Sequence, residues 1–401
     1  MKLTEMYKQL ILILTFLQMG LVETAFCQKL DSNKTVLMDV GDVWHKIKSK
    51  SYQIDTTKTK IGVPLLTILP GFGYSQLTGF TVLVDANISF YTYKNTNLSV
   101  IKITPEYAQN KQFTPILTTS IWSKDNRYNF VSDWRFYNYT LRDFGLGGQT
   151  SEDVYNHFSY NFIRLHQVLL KAVASDLLIG VGYNFDKHFK VKSIDDQLVT
   201  NASDYGISTS AVSSGIVLNA LFDTRRNENS PVADGWYANF YFTQNIKLLK
   251  SSSNYKSIYV DFRHYVSFPK NSKNILAFWN LNWLTFNGNA PYFDLPSTLW
   301  DTYDNAGRTF IQGRFRGKSM IYFETEYRFN ILRNELLGGA VFANTQSFTS
   351  FSNQQFSKLL LGYGGSLRIK VNKKSNVYFI LSYGAGTGGA KGFFFNLGEV
   401  F

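Results

Sequence analysis

The sequence predicts an all-β fold: a transmembrane antiparallel β-barrel of sixteen strands over residues 61–401. Three observations predict it. From about Ile61 onward, apolar and polar residues alternate at period two with short polar punctuation and no helical pattern. Aromatic residues make up 16% of the chain, 34 of them Phe and 25 Tyr, with 8 prolines, which fits aromatic girdles better than a soluble core. The final stretch, Gly392 to Phe401, reads GFFFNLGEVF and places Phe393, Phe395, Leu397 and Phe401 on one face, as a strand presents apolar side chains to lipid.

The first element is a secretory signal over residues 1–27. Lys2 and Lys8 precede an apolar stretch from Leu10 to Val22, and Ala25-Phe26-Cys27 stands before Gln28. A lipidated Cys27 fits poorly after bulky Phe26, and the apolar core is shorter than the roughly 20 residues a membrane helix needs. Cys27 is the only cysteine, so the processed chain has neither disulfides nor thiolate metal sites. Residues 28–60 form a short periplasmic leader. Within it, Asp39 caps a segment to Ile47 with Val40, Val43, Trp44 and Ile47 on one helical face. That amphipathic helix either plugs the barrel mouth or holds a partner; the bland reading is a loosely ordered leader.

Fifteen strand segments begin near Thr78, Leu98, Phe113, Arg127, His157, Asp176, Thr209, Trp236, Tyr255, Asn274, Lys318, Glu335, Lys358, Asn376 and Gly392. An even count is the rule for single-chain barrels, and Ile61 to Tyr74 supplies the sixteenth strand, with Ser75-Gln76-Leu77 as the first external turn. In Tyr255 to Phe268, Ile258, Val260, Phe262 and Val266 face lipid, and Tyr259, Asp261, Arg263 and Tyr265 face the lumen. In Ile321 to Phe329, Tyr322, Glu324, Glu326 and Arg328 must point inward, because four polar side chains do not face hydrocarbon. Turns such as Lys94 to Asn97 and Arg333-Asn334 are short and fall on the periplasmic side. The long pieces Thr140 to Asn156, Lys190 to Ser208 and Gly288 to Gly317 fall outside, and Thr224 to Gly235 is the one long turn on the short side.

After the signal no run of about 18 uncharged apolar residues exists, which excludes helical spans. The net charge of +12 sits largely in turns such as Pro269 to Lys273 and Asn372 to Ser375, as for a solvated rim against anionic lipid and lipopolysaccharide headgroups rather than a nucleic-acid surface. Gly313-Arg314-Phe315-Arg316-Gly317-Lys318-Ser319 has three residues between its glycines and opens a strand, so it lacks the spacing and the helix N-terminus that cradle phosphate. The five histidines, His45, His157, His166, His188 and His264, form no metal-ligand or hydrolase pattern. No cofactor, metal or bond-making chemistry is expected, although a serine–histidine pair across strands would leave no local signature.

Three sites resemble the bacterial surface antigen family, the BamA and TamA superfamily of outer-membrane barrels, which also includes two-partner secretion transporters. Phe222-Asp223-Thr224-Arg225-Arg226-Asn227 with Pro231 and Gly235 is similar to the family's Asp-x-Arg-Asn, Pro, Gly turn. Gly307-Arg308-Thr309-Phe310 resembles the Arg-Gly-Phe/Tyr loop motif, with Thr309 in place of glycine, and Phe342-Ala343-Asn344 resembles a Phe-x-Asp strand motif, with Asn344 in place of aspartate. The resemblance implies that the long loop folds into the lumen, where Arg308 and Phe310 lock it against Glu324, Glu326 and Asn344. Because Asn344 carries no charge, the counter-ion expected for Arg308 is Glu324 or Glu326.

The family's POTRA domains capture clients by strand addition, yet only about 33 residues separate Gln28 from Ile61, so a short member without such domains is expected. Pro64, Pro70, Gly71 and Gly73 in the first strand, and Gly392 and Gly398 in the last, predict a seam closed at Phe401 by few hydrogen bonds. The resemblance implies a role in outer-membrane protein insertion, assembly or export, with a client outer-membrane or secreted protein as partner. The alternatives are a passive outer-membrane channel or a surface structural protein.

Overall fold

A computed structural model describes residues 37–48, 62–75, 79–94, 96–195, 200–225, 231, 234–356, 358–373 and 376–401. The signal stretch, most of the leader, Ile61, Arg226 and Asn227 lie outside the described residues.

A nine-residue helix, α1 (Val40–Lys48), precedes a single antiparallel meander. Its strands are β1 (Leu65–Ser75), β2 (Gly79–Phe90), β3 (Ser99–Thr104), β4 (Glu106–Ala108), β5 (Ile116–Trp122), β6 (Tyr128–Asp143), β7 (Asn156–Ala174), β8 (Leu177–Ser193) and β9 (Ser210–Asp223). Then come β10 (Gly235–Asn245), β11 (Tyr255–Ser267), β12 (Ile275–Phe286), β13 (Ser319–Asn330), β14 (Leu337–Phe348), β15 (Leu360–Asn372), β16 (Val377–Gly386) and β17 (Lys391–Leu397). Both β3 and β4 pair with β2, at Phe90–Ala86 and Leu83–Thr81, and are parted by Pro105, which has no N–H to give the ladder. They are one strand interrupted, which leaves sixteen strand positions, as the sequence predicts.

With β3 and β4 taken as one strand, each strand pairs with the next in sequence, from the β1–β2 hairpin to the β16–β17 hairpin. Hairpin order follows from the turns: between β7 and β8 the chain reverses at Asp176, whose φ of +60° suits a short polar side chain. Strands β6, β7 and β8, with 16, 19 and 17 residues, exceed the roughly 9–11 a tilted span needs and project toward the long-loop end. The loops expected at Thr140 and Lys190 therefore start later, after Asp143 and Ser193.

Alternation sorts the two faces of β11 and β13 as expected. On β13, Ile321 and Phe323 are exposed toward lipid while Tyr322, Glu324, Glu326 and Arg328 are buried. On β11, Asp261, Arg263 and Tyr265 are buried and Phe262 is exposed.

Two expectations at the seam are corrected. Pro64 lies just before β1 rather than within it; Pro70 stands opposite Val84 in the β1–β2 ladder. Phe401 does not share the lipid face of Phe393 and Phe395. The last strand ends at Leu397, Gly398 takes φ +91°, and Phe401 is 3% exposed inside the barrel. A left-handed glycine breaks the period-two phase, so the residues after it leave the wall. Gly392 is in β17, opposite Gly384. Among the described residues no ladder joins β1 to β17, although the Asn372 amide donates to the Thr67 hydroxyl at 2.9 Å and brings β1 beside the last hairpins.

Candidate functional site

The long connection between β12 and β13, residues 287–318, turns into the lumen and is gripped from two walls. Its descending part is apolar: Phe293, Leu295 and Trp300 pack with Tyr137, Tyr139, Tyr160 and Phe162 of β6 and β7. Its tip, with Ala306, Phe310 and Phe315, packs against Trp279, Met320, Tyr322 and Phe348 of β12, β13 and β14. The tip is shaped by Asp301, whose carboxylate accepts from the backbone N–H groups of Tyr303 (3.1 Å), Asn305 (2.9 Å) and Ala306 (2.7 Å). Buried carboxylates are tolerated where such donors satisfy them, and burial nevertheless raises the Asp301 carboxyl above its ordinary value.

Arg308 stands at the turn so formed, 1% exposed. Its Nη2 donates to both Glu324 and Glu326, so the counter-ion is not one glutamate but two. Burial opposes its charge, but the two carboxylates raise its pKa above the ordinary arginine value. The guanidinium lies 3.7 Å from the centroid of the Phe342 ring, a cation–π contact. Asn344 takes no part in charge pairing; its Nδ2 donates to the Arg308 carbonyl at 2.9 Å and holds the backbone of the motif. Phe310 is 1% exposed beside Phe315.

Thr309 occupies the motif position where the resembled family has glycine, and its φ is +120°. A β-branched residue is strained there, and its hydroxyl makes no hydrogen bond among the described residues. Its side chain fits against Gly362 of β15 and Gly384 of β16, where any Cβ would collide with it. Thr309→Gly should relieve roughly 1–3 kcal/mol of backbone strain and forfeit about 1 kcal/mol of methyl burial. A small net stabilisation, read from the urea midpoint of the folded barrel, is expected.

The opposite wall carries an anchor that motif reading did not find. Arg135 of β6 donates to Asp133 at 2.7 Å, to the Thr302 carbonyl and to Asp304 at 3.3 Å. Arg164 bonds Asp186 at 2.8 Å and His166 lies 2.6 Å from the same carboxylate, completing a charge patch over β6, β7 and β8. Period-two reading of β6 puts Asp133 and Arg135 inward, but nothing local says which loop residue they meet.

Burial against this wall pushes the Asp304 carboxyl from its ordinary 3.8 up to about 7, against the pull of Arg135, with 31% of the side chain still accessible. A raised carboxyl pKa means that the docked loop binds the proton more tightly than the free loop. The contribution is full below the ordinary value and is lost as pH rises through about 7. Hydrogen-exchange protection of residues 301–306, corrected for intrinsic rates, should therefore fall between roughly pH 4 and 7. Asp304→Asn should lessen that fall and leave the part that belongs to Asp301, whose carboxyl is also raised by burial.

The network continues from the loop to the last strand. Glu326 also accepts from Arg328 Nε at 2.6 Å, and Arg328 lies 3.6 Å from Glu399, which pairs with Arg368 of β15. Arg328 donates to the Phe401 carbonyl at 2.9 Å. Asn305 of the loop donates to the Val400 carbonyl at 2.7 Å and accepts from Asn396 at 2.6 Å. Phe401 stacks on Trp279 with ring centroids 5.2 Å apart. The inward residues after β17 and the locked loop are thus one buried unit, a connection the sequence did not reveal.

The remaining site residues lie elsewhere. Asp223 grips Arg225 with bonds of 2.9 and 2.7 Å and accepts its backbone N–H at 3.0 Å, which fixes the start of the β9–β10 turn. Pro231 is buried, and Gly235 opens β10 opposite Tyr265. Arg316, in the glycine-flanked stretch, is buried with its Nη1 donating to the Tyr292 carbonyl at 3.3 Å. Among the described residues no histidine, cysteine or carboxylate cluster has the arrangement of a metal site.

No family model matches the chain, and no curated protein does. Solved structures do. BamA from Haemophilus ducreyi lacking POTRA domains 1-3 superposes with a TM-score of 0.52 at 11% identity, over 84% of this chain and 75% of that one. CdiB from Acinetobacter baumannii superposes with a TM-score of 0.50 at 12% identity, over 83% of this chain and 59% of that one. The sixteen strand positions and these superpositions agree: the fold of this chain is that of a BamA-like β-barrel.

Proposed function

We propose that the protein assists the insertion, assembly or export of other proteins at a bacterial outer membrane, with its short-turn rim in the periplasm. One observation carries this reading: the loop that fills the lumen is joined through Asn305, Glu326, Arg328 and Glu399 to the residues after β17. A loop state therefore sets the state of the open edge, where β1 and β17 share no ladder among the described residues. An edge with unpaired N–H and C=O groups is the place where an extended client strand adds to a sheet. The likeness to BamA and CdiB barrels supports this reading and the outer-membrane location.

The second reading is a passive channel, and a lumen occupied by Tyr292, Phe293, Trp300, Arg308 and Phe310, all buried, speaks against free conduction. Quantitative proteomics of outer membranes and culture medium tests the proposal, comparing wild-type, deleted and complemented cells. Selective loss of particular barrels or secreted proteins, restored by the wild-type gene but not by Arg308→Ala present at equal level, is expected. An unchanged proteome on deletion would overturn it.

A further inference from the structure

Helix α1 docks to the barrel the wrong way round for a soluble helix. Its start is a reciprocal cap: the Asp42 N–H donates to Asp39 Oδ1 and the Asp39 N–H to Asp42 Oδ2, both at 3.0 Å. The same two aspartates then fasten the helix to the rim. Lys373, just past β15, reaches Asp42 at 2.7 and 2.8 Å, and its N–H donates to Asp39 Oδ2 at 3.0 Å. The Met38 N–H adds a bond of 3.2 Å to the carbonyl of Asn334, in the turn between β13 and β14. Asp42 is consequently 2% exposed, whereas Val40 is 44% and Trp44 57% exposed.

At 3.6 residues per turn, Val40 and Trp44 share a face and Asp42 lies across the helix from them. Asp39 and Asp42 are satisfied by the barrel rim, while Val40 and Trp44 are uncovered. We propose that α1 is an interfacial helix whose Val40–Trp44 face lies in the periplasmic leaflet of the membrane beside the barrel. This rests on the reading that the strands span an outer membrane with the short-turn rim inward.

Lipid is favoured as the occupant by two observations. Ile331 and Leu332, in the same turn that holds Met38, are exposed, so the apolar outer surface reaches the rim on which the helix is pinned. The helix also has the composition that the headgroup boundary selects: a tryptophan, with the Lys48 ammonium 4.8 Å from the centroid of its ring, placing a cation beside anionic headgroups. A helix plugging the mouth would bury Trp44 instead of leaving it open.

The test uses the full chain with Cys27→Ser, reconstituted in vesicles of phosphatidylethanolamine and phosphatidylglycerol. It carries a nitroxide at Val40→Cys or Trp44→Cys, with Phe240→Cys on the outward face of β10 as the reference. Relaxation by oxygen, which partitions into lipid, should exceed that by a water-soluble nickel chelate at all three positions. Nickel-dominated relaxation at 40 and 44 with lipid contact at 240 would overturn the proposal and leave the membrane reading intact. Shielding from both agents at 40 and 44 would also overturn it, assigning the face to protein: the mouth or a second copy. Nickel-dominated relaxation at 240 as well would remove the membrane reading itself.

Discussion

Glu326→Ala is expected to destabilise the barrel by about 3–5 kcal/mol, the usual cost of removing one partner from a buried charge pair. Glu326 serves two guanidinium groups, Arg308 from the loop and Arg328 from its own strand, and is 2% exposed. Arg308, Arg328 and Arg368 are balanced by Glu324, Glu326 and Glu399, so deleting one carboxylate leaves an uncompensated cation where water does not reach. Arg308 would keep Glu324 only, and Arg328 would keep the looser 3.6 Å contact to Glu399. The urea midpoint of the folded barrel measures the total. Limited proteolysis within residues 287–318 separates loop release from global unfolding, and release should come first, since the strands retain their ladders. A midpoint shift worth under about 0.5 kcal/mol, the range of surface changes, would show that the loop is not locked by this pair.

Trp279→Ala should cost a similar amount, about 3–5 kcal/mol for a buried aromatic. Trp279 is fully buried; its Nε1 donates to Asp261 at 2.9 Å, its ring meets Tyr322 edge-on at 5.0 Å and Phe401 lies stacked on it. Truncation removes the floor on which Phe401 rests while Gly398, outside the contact, still directs the chain inward. The expected signature is loss of hydrogen-exchange protection over residues 398–401 together with the tip around Asn305, because Asn305 bonds the Val400 carbonyl. If residues 398–401 lose protection and the loop does not, the loop and the end of the last strand are independent. The coupling on which the proposed function rests would then fail.

The strand number and the inward and outward faces were legible in the sequence, for a physical reason, whereas the pairing of Arg308 with β13 was implied by the family resemblance. A half-buried strand writes its two environments into alternate residues, and each residue of β13 from Ile321 to Arg328 carries that signal by itself. Trp279 shows where the signal fails. On β12 the inward positions Ala277, Trp279 and Leu281 are apolar, while outward Asn280 and Asn282 are polar, bonded to each other at 2.7 Å, with Asn280 also donating to the Tyr322 carbonyl. Alternation there carries the opposite sign, because the lumen at that height is filled by protein rather than water.

The turn of Phe401 into the barrel follows from one backbone angle at Gly398, and no side-chain pattern encodes it. Likewise, Arg135 and Asp304 lie 169 residues apart and meet only because the loop crosses the lumen between facing walls. Local periodicity, the capping aspartates of α1 and the glycine-poor loop motif were set by the sequence alone, since each depends on neighbours along the chain. That Glu324 and Glu326 hold Arg308 together, which wall receives Asp304, and that the loop and the residues after β17 form one buried unit were decided by the tertiary structure. Those contacts exist only once sixteen strand positions bring distant residues around a common interior.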